Sequence, residues 1–188
     1  MSGRRAVALA LTAGTVAGCG QRAPEPVARI AHHHLPSLSK QTRAGAAVGA
    51  MRCRPGEGTR AWAHIELFAR GRVVLLPAGI GIAPPRRTDG AYVHGGRCRY
   101  PIWTDEPTGL VALRQDDLTL GDLLRIWGRP ATARGAAGYR GEVRVSVGGR
   151  RVSGPAHAVR LTPHAQVVVQ IGAPWVRPNA VYAFPPGR

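Results

Sequence analysis

The chain has a single lysine, Lys40, two phenylalanines, two methionines and only ten acidic residues among its 188. Aromatic residues make up 5% of it. It contains three cysteines (Cys19, Cys53 and Cys98) and no Cys-x-x-Cys pair, so nothing supports thioredoxin-like dithiol chemistry. There is no Gly-x-Ser-x-Gly elbow, no phosphate loop, no His-Glu-x-x-His and no dinucleotide fingerprint. No cofactor is therefore expected. No apolar run approaches the roughly 20 residues that a membrane-spanning helix needs.

Arginine is what the chain has in abundance. Lysine and arginine together number 26, and the formal charge is +16. Such a charge invites a nucleic-acid reading, but the arginines are scattered from Arg22 to Arg188 and form only short pairs, Arg86 with Arg87 and Arg150 with Arg151. With abundant Ala, Gly and Pro, this pattern reads as a compositional bias that leaves a solvated basic surface. Anionic lipid headgroups or anionic wall polymers are the partners such a surface suits; no nucleic acid is expected.

Arg4 and Arg5 precede an apolar or small-residue run over residues 6–17. Its length is that of a signal-peptide core. The run closes on Val16, Ala17, Gly18 and Cys19. A branched aliphatic residue, two small residues and a cysteine resemble the lipobox of bacterial lipoproteins. The resemblance implies that residues 1–18 are a signal peptide, that cleavage falls before Cys19, and that the Cys19 thiol carries lipid. Two or three acyl chains anchor stably, at about 0.8 kcal/mol per buried CH₂. The implied address is the extracytoplasmic face of the cell membrane. An exported chain also does not meet the chromosome.

Residues 19–58 are rich in Pro, Ala, Gly, Ser and Arg and lack hydrophobic periodicity, so they read as a flexible, disordered linker. His32, His33 and His34 lie within it and read as polar linker. With Cys19 lipidated, Cys53 and Cys98 remain, and two thiols in an oxidising compartment usually pair.

Residues 59–188 are expected to form one small β-rich (α+β) domain of antiparallel hairpins with one short amphipathic helix. Residues 61–69 and 72–76 flank Arg70-Gly71 and read as a hairpin. Residues 83–97 and 131–141 read as loops, because Pro, Gly, Arg and Asp cluster there. Leu120, Leu123, Leu124 and Trp127 make one apolar helical face, capped by Thr119 or Asp117 and stopped by Gly128 and Pro130. Val143, Val145 and Val147 alternate with Glu142, Arg144 and Ser146, as in a half-buried strand. Residues 174–188 carry Trp175, Tyr182 and Phe184 between prolines and read as an extended strap.

The order AHIELFARGRVVLLPAGIGI, CRYPIWTDEPTGLVAL, LTLGDLLRIWG, then a valine-rich hairpin and a Phe-Pro-Pro-Gly ending, resembles a family of uncharacterised secreted domains common in actinobacteria. That family's His-rich centre implies a metal site. Here the matching middle positions are Trp103, Thr104, Asp105 and Glu106, and the next strand has Ala112 and Arg114. Of the first-strand histidines only His64 remains. The residues left as metal candidates are His64, Asp105 and Glu106, fewer than the three or four convergent ligands a good site uses. Asp105 with Glu106, and Asp116 with Asp117, are adjacent pairs that diverge on an extended chain and make poor acid–base couples. The reading is therefore a non-catalytic binding or interaction domain at the cell envelope, whose partner is an envelope protein, a wall polymer or a small ligand. A metal-dependent or redox protein working through the region of His64, Asp105 and Glu106 is the alternative.

Overall fold

The computed structural model describes residues 38–56 and 58–188. The signal segment, Cys19 and the three-histidine tract lie outside the described residues. Among the described residues, two α-helices, α1 (Lys40–Ala44) and α2 (Leu120–Trp127), accompany thirteen strands. The first eight are β1 (Ala61–Ala69), β2 (Arg72–Val74), β3 (Ile82–Ala83), β4 (Arg87–Asp89), β5 (Tyr92–Gly95), β6 (Cys98–Arg99), β7 (Ile102–Trp103) and β8 (Leu110–Leu113). Past α2 follow β9 (Gly135–Ala136), β10 (Tyr139–Arg140), β11 (Val143–Val147), β12 (Arg150–Arg151) and β13 (Gln166–Ile171). The protein is mainly β, as its turn and alternation patterns predict. Among the described residues no helix is long and apolar enough to cross a membrane.

Seven strands form the main sheet in the order β12-β11-β13-β1-β8-β7, with β2 also paired to β1. The hairpin expected over residues 61–76 is present: Phe68 faces Val73 and Ala69 faces Arg72. Arg70 and Gly71 both have positive φ, 51° and 72°. That is the signature of a two-residue turn whose twist matches its strands. The central pairing is of another kind. β1 and β13 run parallel, His64 against Gln166 through Ala69 against Ile171, while the remaining pairs in the sheet are antiparallel.

The register gives the sheet two unlike faces, because alternate residues point to opposite sides. Ala63, Ile65 and Leu67 of β1 join Val167, Val169 and Ile171 of β13 in the main core, together with Leu120, Leu123, Leu124 and Trp127 of α2. Each such leucine, fully buried, is worth about 1.5–3 kcal/mol. Thr119, not Asp117, caps α2. Its side chain accepts from the Asp122 N–H, while the Asp122 carboxylate accepts from the Thr119 N–H, and Gly128 ends the helix at φ 81°.

Three stretches depart from the sequence expectation. Residues 38–56, expected as linker, belong to the folded body: Leu38, Thr42, Val48 and Met51 are buried. Polar contacts hold the segment down where periodicity is absent. Thr42 Oγ1 donates to the Ile126 carbonyl at 2.7 Å, and the buried Tyr100 hydroxyl donates to the Ala46 carbonyl. Residues 83–97 are not an open loop. They contain the β4–β5 hairpin, and Val93 within it is fully buried. Residues 131–141 likewise contain the β9–β10 hairpin over buried Ala136 and Ala137. In both, the apolar residues are too few to announce a strand.

The disulfide joins Cys53 to Cys98 across 45 positions. It fastens the N-terminal segment to the start of β6.

Candidate functional site

The site begins with a buried threonine. Thr104 Oγ1 donates to the Pro77 carbonyl at 2.7 Å and accepts from the Ile80 N–H at 3.0 Å. With Gly79 N–H bonded to the Thr104 carbonyl at 2.7 Å, this locks residues 103–105 onto the buried segment at 77–82. The next backbone group is used as well: Val93 N–H donates to the Asp105 carbonyl at 2.8 Å. The β4–β5 hairpin is thereby pinned over Asp105.

Between these elements lies an open cleft of about 540 Å³. It is lined by Tyr92 and His94 of the hairpin, Arg99, Trp103, Asp105 and Arg188 at the end of the strap, with Thr59, Asp89 and Val93. Trp103 is 1% exposed and packs with Ala78, Ile82, Val93 and Ala112 in a second, smaller core. Two guanidiniums flank its ring, Arg99 at 5.6 Å and Arg114 at 5.3 Å. Such cation–ring contacts are worth more as water is excluded. At the rim the Tyr92 and His94 rings lie 6.2 Å apart and 16° from parallel.

Asp105 holds the polar centre. Its Oδ2 accepts from the Trp103 indole at 3.2 Å, and its Oδ1 faces Arg99 Nη2 at 3.9 Å. Oδ1 is buried and takes no hydrogen bond. Burial raises the Asp105 pKa above the ordinary carboxylate value; Arg99, the Trp103 hydrogen bond and Arg188 pull it back only in part, and Glu106 pushes it further up. A half-buried carboxylate with a raised pKa and a specific charge partner in a cleft is the pattern functional sites display.

The sign of the pH effect follows. A carboxyl group with a raised folded-state pKa makes the native state hold more protons than the unfolded chain, so stability falls as pH rises through that window. The window opens just above the ordinary value of 3.8. In melting scans between pH 3.5 and 7, the wild type should lose stability relative to Asp105→Asn as pH rises through it. A difference independent of pH would contradict the assignment.

The three metal candidates are not brought together. His64 lies on the opposite face of β1 from the main core. Its Nδ1 contacts Gln166 Oε1 at 2.6 Å and its Nε2 the Thr108 carbonyl at 2.9 Å. Gln166 in turn donates to Glu66 at 3.0 Å, which also accepts from Asn179 of the strap. Tyr182 stacks on the imidazole, ring centroids 3.6 Å apart. The histidine that reads as a ligand thus holds down the strap. Glu106 pairs with Arg188, while Asp105 turns to Trp103 and Arg99, as neighbours on an extended chain diverge. Among the described residues no group of three or more His, Cys, Asp or Glu is arranged to hold a metal ion.

Tyr92, His94, Arg99 and Arg188 are the site residues that sequence reasoning missed. Tyr92 and His94 sit in the stretch expected to be loop. The Asp89-Gly90 pair ahead of the alternating Tyr92, Val93 and His94 was the available signal for a hairpin there. Arg99 and Arg188 are two among many arginines, and nothing local marks them.

The geometry defines a mainly β protein with a lateral cleft combining aromatic faces, two guanidiniums and the half-buried carboxylate of Asp105. No protein-family model matches the chain, and neither a curated protein nor a solved structure shows significant similarity to it.

Proposed function

We propose that this chain is a non-catalytic binding domain, carried on the outer face of the cell membrane by lipid on Cys19, that takes a sugar segment of an envelope polymer in the cleft between Tyr92 and Asp105. The observation that carries the binding reading is the cleft's composition. Sugars present C–H faces that rest on aromatic rings, and ring-edge hydroxyls that donate to carboxylates and accept from guanidiniums. Tyr92 and His94 supply the faces, and Asp105 and Arg99 supply the acceptor and donor. The Asp105 side chain is 26% exposed where it lines the cleft, so its carboxylate can accept a ring hydroxyl there. An open groove also admits an internal stretch of polymer, which an enclosed pocket would exclude. The address rests on the sequence Val16-Ala17-Gly18-Cys19 behind its apolar run.

Two measurements test the two halves. Titrating the full chain with a soluble peptidoglycan digest, followed by tryptophan fluorescence, should give saturable binding. Tyr92→Ala should weaken it roughly five- to tenfold through loss of one aromatic contact. Binding that is absent, or equal in the variant, would remove the cleft from the reading. Metabolic labelling with palmitate should mark the native chain and not Cys19→Ser; a labelled variant would overturn the anchor.

A further inference from the structure

The main sheet ends in a cluster of arginines that the cleft does not use. The β1–β2 turn places Arg70 and Arg72 at one end. Arg70 N–H is bonded to the Ile171 carbonyl at 2.9 Å, at the last residue of β13. The chain just ahead of β11 comes to the same place: Gly172 N–H bonds the Glu142 carbonyl at 2.9 Å, and Gly141 N–H bonds the Arg134 carbonyl at 3.0 Å. A Cβ on Gly172 would sit 3.6 Å from Arg70 Cγ and 3.9 Å from the Arg140 carbonyl. Arg70, Arg72, Arg134 and Arg140 are all exposed. None of their side chains has a hydrogen-bond, ion-pair or ring partner among the described residues. Glu142 is the one acidic side chain in the segments that meet here, and Arg144 at 2.8 Å and Arg151 at 3.4 Å already hold it.

Exposed apolar groups lie on the same two strands as these charges, on the opposite faces. Val73, beside Arg72, is 70% exposed, and Tyr139, beside Arg140, is 41% exposed. Cations around a few exposed apolar and tyrosine side chains suit a bilayer interface. The described N-terminal segment begins beside the end of α2, and Arg129 there reaches the β9–β10 hairpin, its Nη1 donating to the Ala137 carbonyl at 3.2 Å. A Cβ on Gly128 would come within 2.8 Å of Ser39 N, and Gly128 leads directly into residues 129–140. The chain between Cys19 and Leu38 reaches at most about 65 Å.

We infer that this pole, made of Arg70, Arg72, Arg134 and Arg140, is a docking surface for the anionic phospholipid headgroups of a bilayer. It lays the domain against the membrane on the side where its N-terminal chain departs. The inference does not need the lipid on Cys19 or the sugar cleft. It is tested on the full chain carrying Cys19→Ser, so that its failure is separate from theirs.

The assay is co-sedimentation with vesicles of phosphatidylcholine alone or with about one-third phosphatidylglycerol. Each arginine near an anionic surface is worth roughly fivefold in partitioning. The combined variant R70Q/R72Q/R134Q/R140Q should therefore lose at least fiftyfold of its anionic-vesicle binding. A charge-matched variant, R52Q/R87Q/R150Q/R177Q, should lose fivefold or less. The pairs R70Q/R72Q and R134Q/R140Q should each lose an intermediate amount. Binding of the parent chain should also collapse between 0.05 and 0.5 M salt as the Debye length shrinks, a readout that needs no variant to fold. Equal losses in the two combined variants would reduce the effect to net charge and overturn the inference. So would binding that ignores phosphatidylglycerol, or tighter binding to a soluble polyglycerol phosphate than to vesicles.

Discussion

Removing the Cys53–Cys98 bridge should cost about 4 kcal/mol, the chain-entropy value for its loop of 45 positions. In a domain whose total stability is of order 5–15 kcal/mol, that is a large share. The loss falls unevenly, because the bridge joins two parts of different strength. Cys98 lies in β6, next to the fully buried Tyr100. Cys53 follows a segment whose one helix has five residues and whose hold on the body rests on a few buried side chains and hydrogen bonds. C53A/C98A should therefore lower the denaturant midpoint and, before global unfolding, expose residues 38–56 to hydrogen exchange and proteolysis. Uniform loss of protection across the fold, with residues 38–56 no more labile than β1, would contradict this picture.

The second large effect belongs to Trp103. Trp103→Ala should destabilise the fold by about 3–5 kcal/mol, the usual cost of deleting a buried indole and leaving a cavity. The ring is 1% exposed and packs against Ala78, Ile82, Val93 and Ala112. Its loss also takes the donor from Asp105 Oδ2 and the ring between the guanidiniums of Arg99 and Arg114. The variant should thus lose sugar binding even under conditions where it remains folded. Trp103→Phe keeps most of the volume and drops the N–H. It should cost less stability, and its effect should concentrate on the cleft and on the pH dependence set by Asp105. Equal stability losses in the Ala and Phe variants would mean that packing is not what Trp103 contributes.

The elements legible from the residues alone share a physical character: each is encoded within a few positions. Arg70-Gly71 between two apolar runs declares a hairpin. Leu120, Leu123, Leu124 and Trp127 behind Thr119 and before Gly128 declare a capped helix. Val143, Val145 and Val147 declare a half-buried strand. The disulfide followed from counting thiols rather than from spacing. The missed β4–β5 and β9–β10 hairpins are two to four residues per strand, too short for a period to show. They exist because Val93, Ala136 and Ala137 find a core already formed beneath them.

Two decisions belonged to the tertiary structure. One is the parallel pairing of β1 with β13, which joins positions about a hundred residues apart and leaves no mark on either strand. The other is the work given to charged and polar residues. His64, Asp105 and Glu106 read as a candidate ligand set because they are the right residue types within one region. Registry decided otherwise: His64 opposes Gln166 on the strap face, Asp105 turns into the cleft and Glu106 meets Arg188. The arginines show the same division. Their number is plain in the composition, but which of them ends buried against Trp103 and which four stand unpaired at the end of the sheet depends on how distant strands meet. Short-range periodicity, caps and turns determined which segments of this protein fold and as what. Long-range pairing alone decided which side chains stand together, because a side chain's neighbours are set by register across the sheet rather than by its place along the chain.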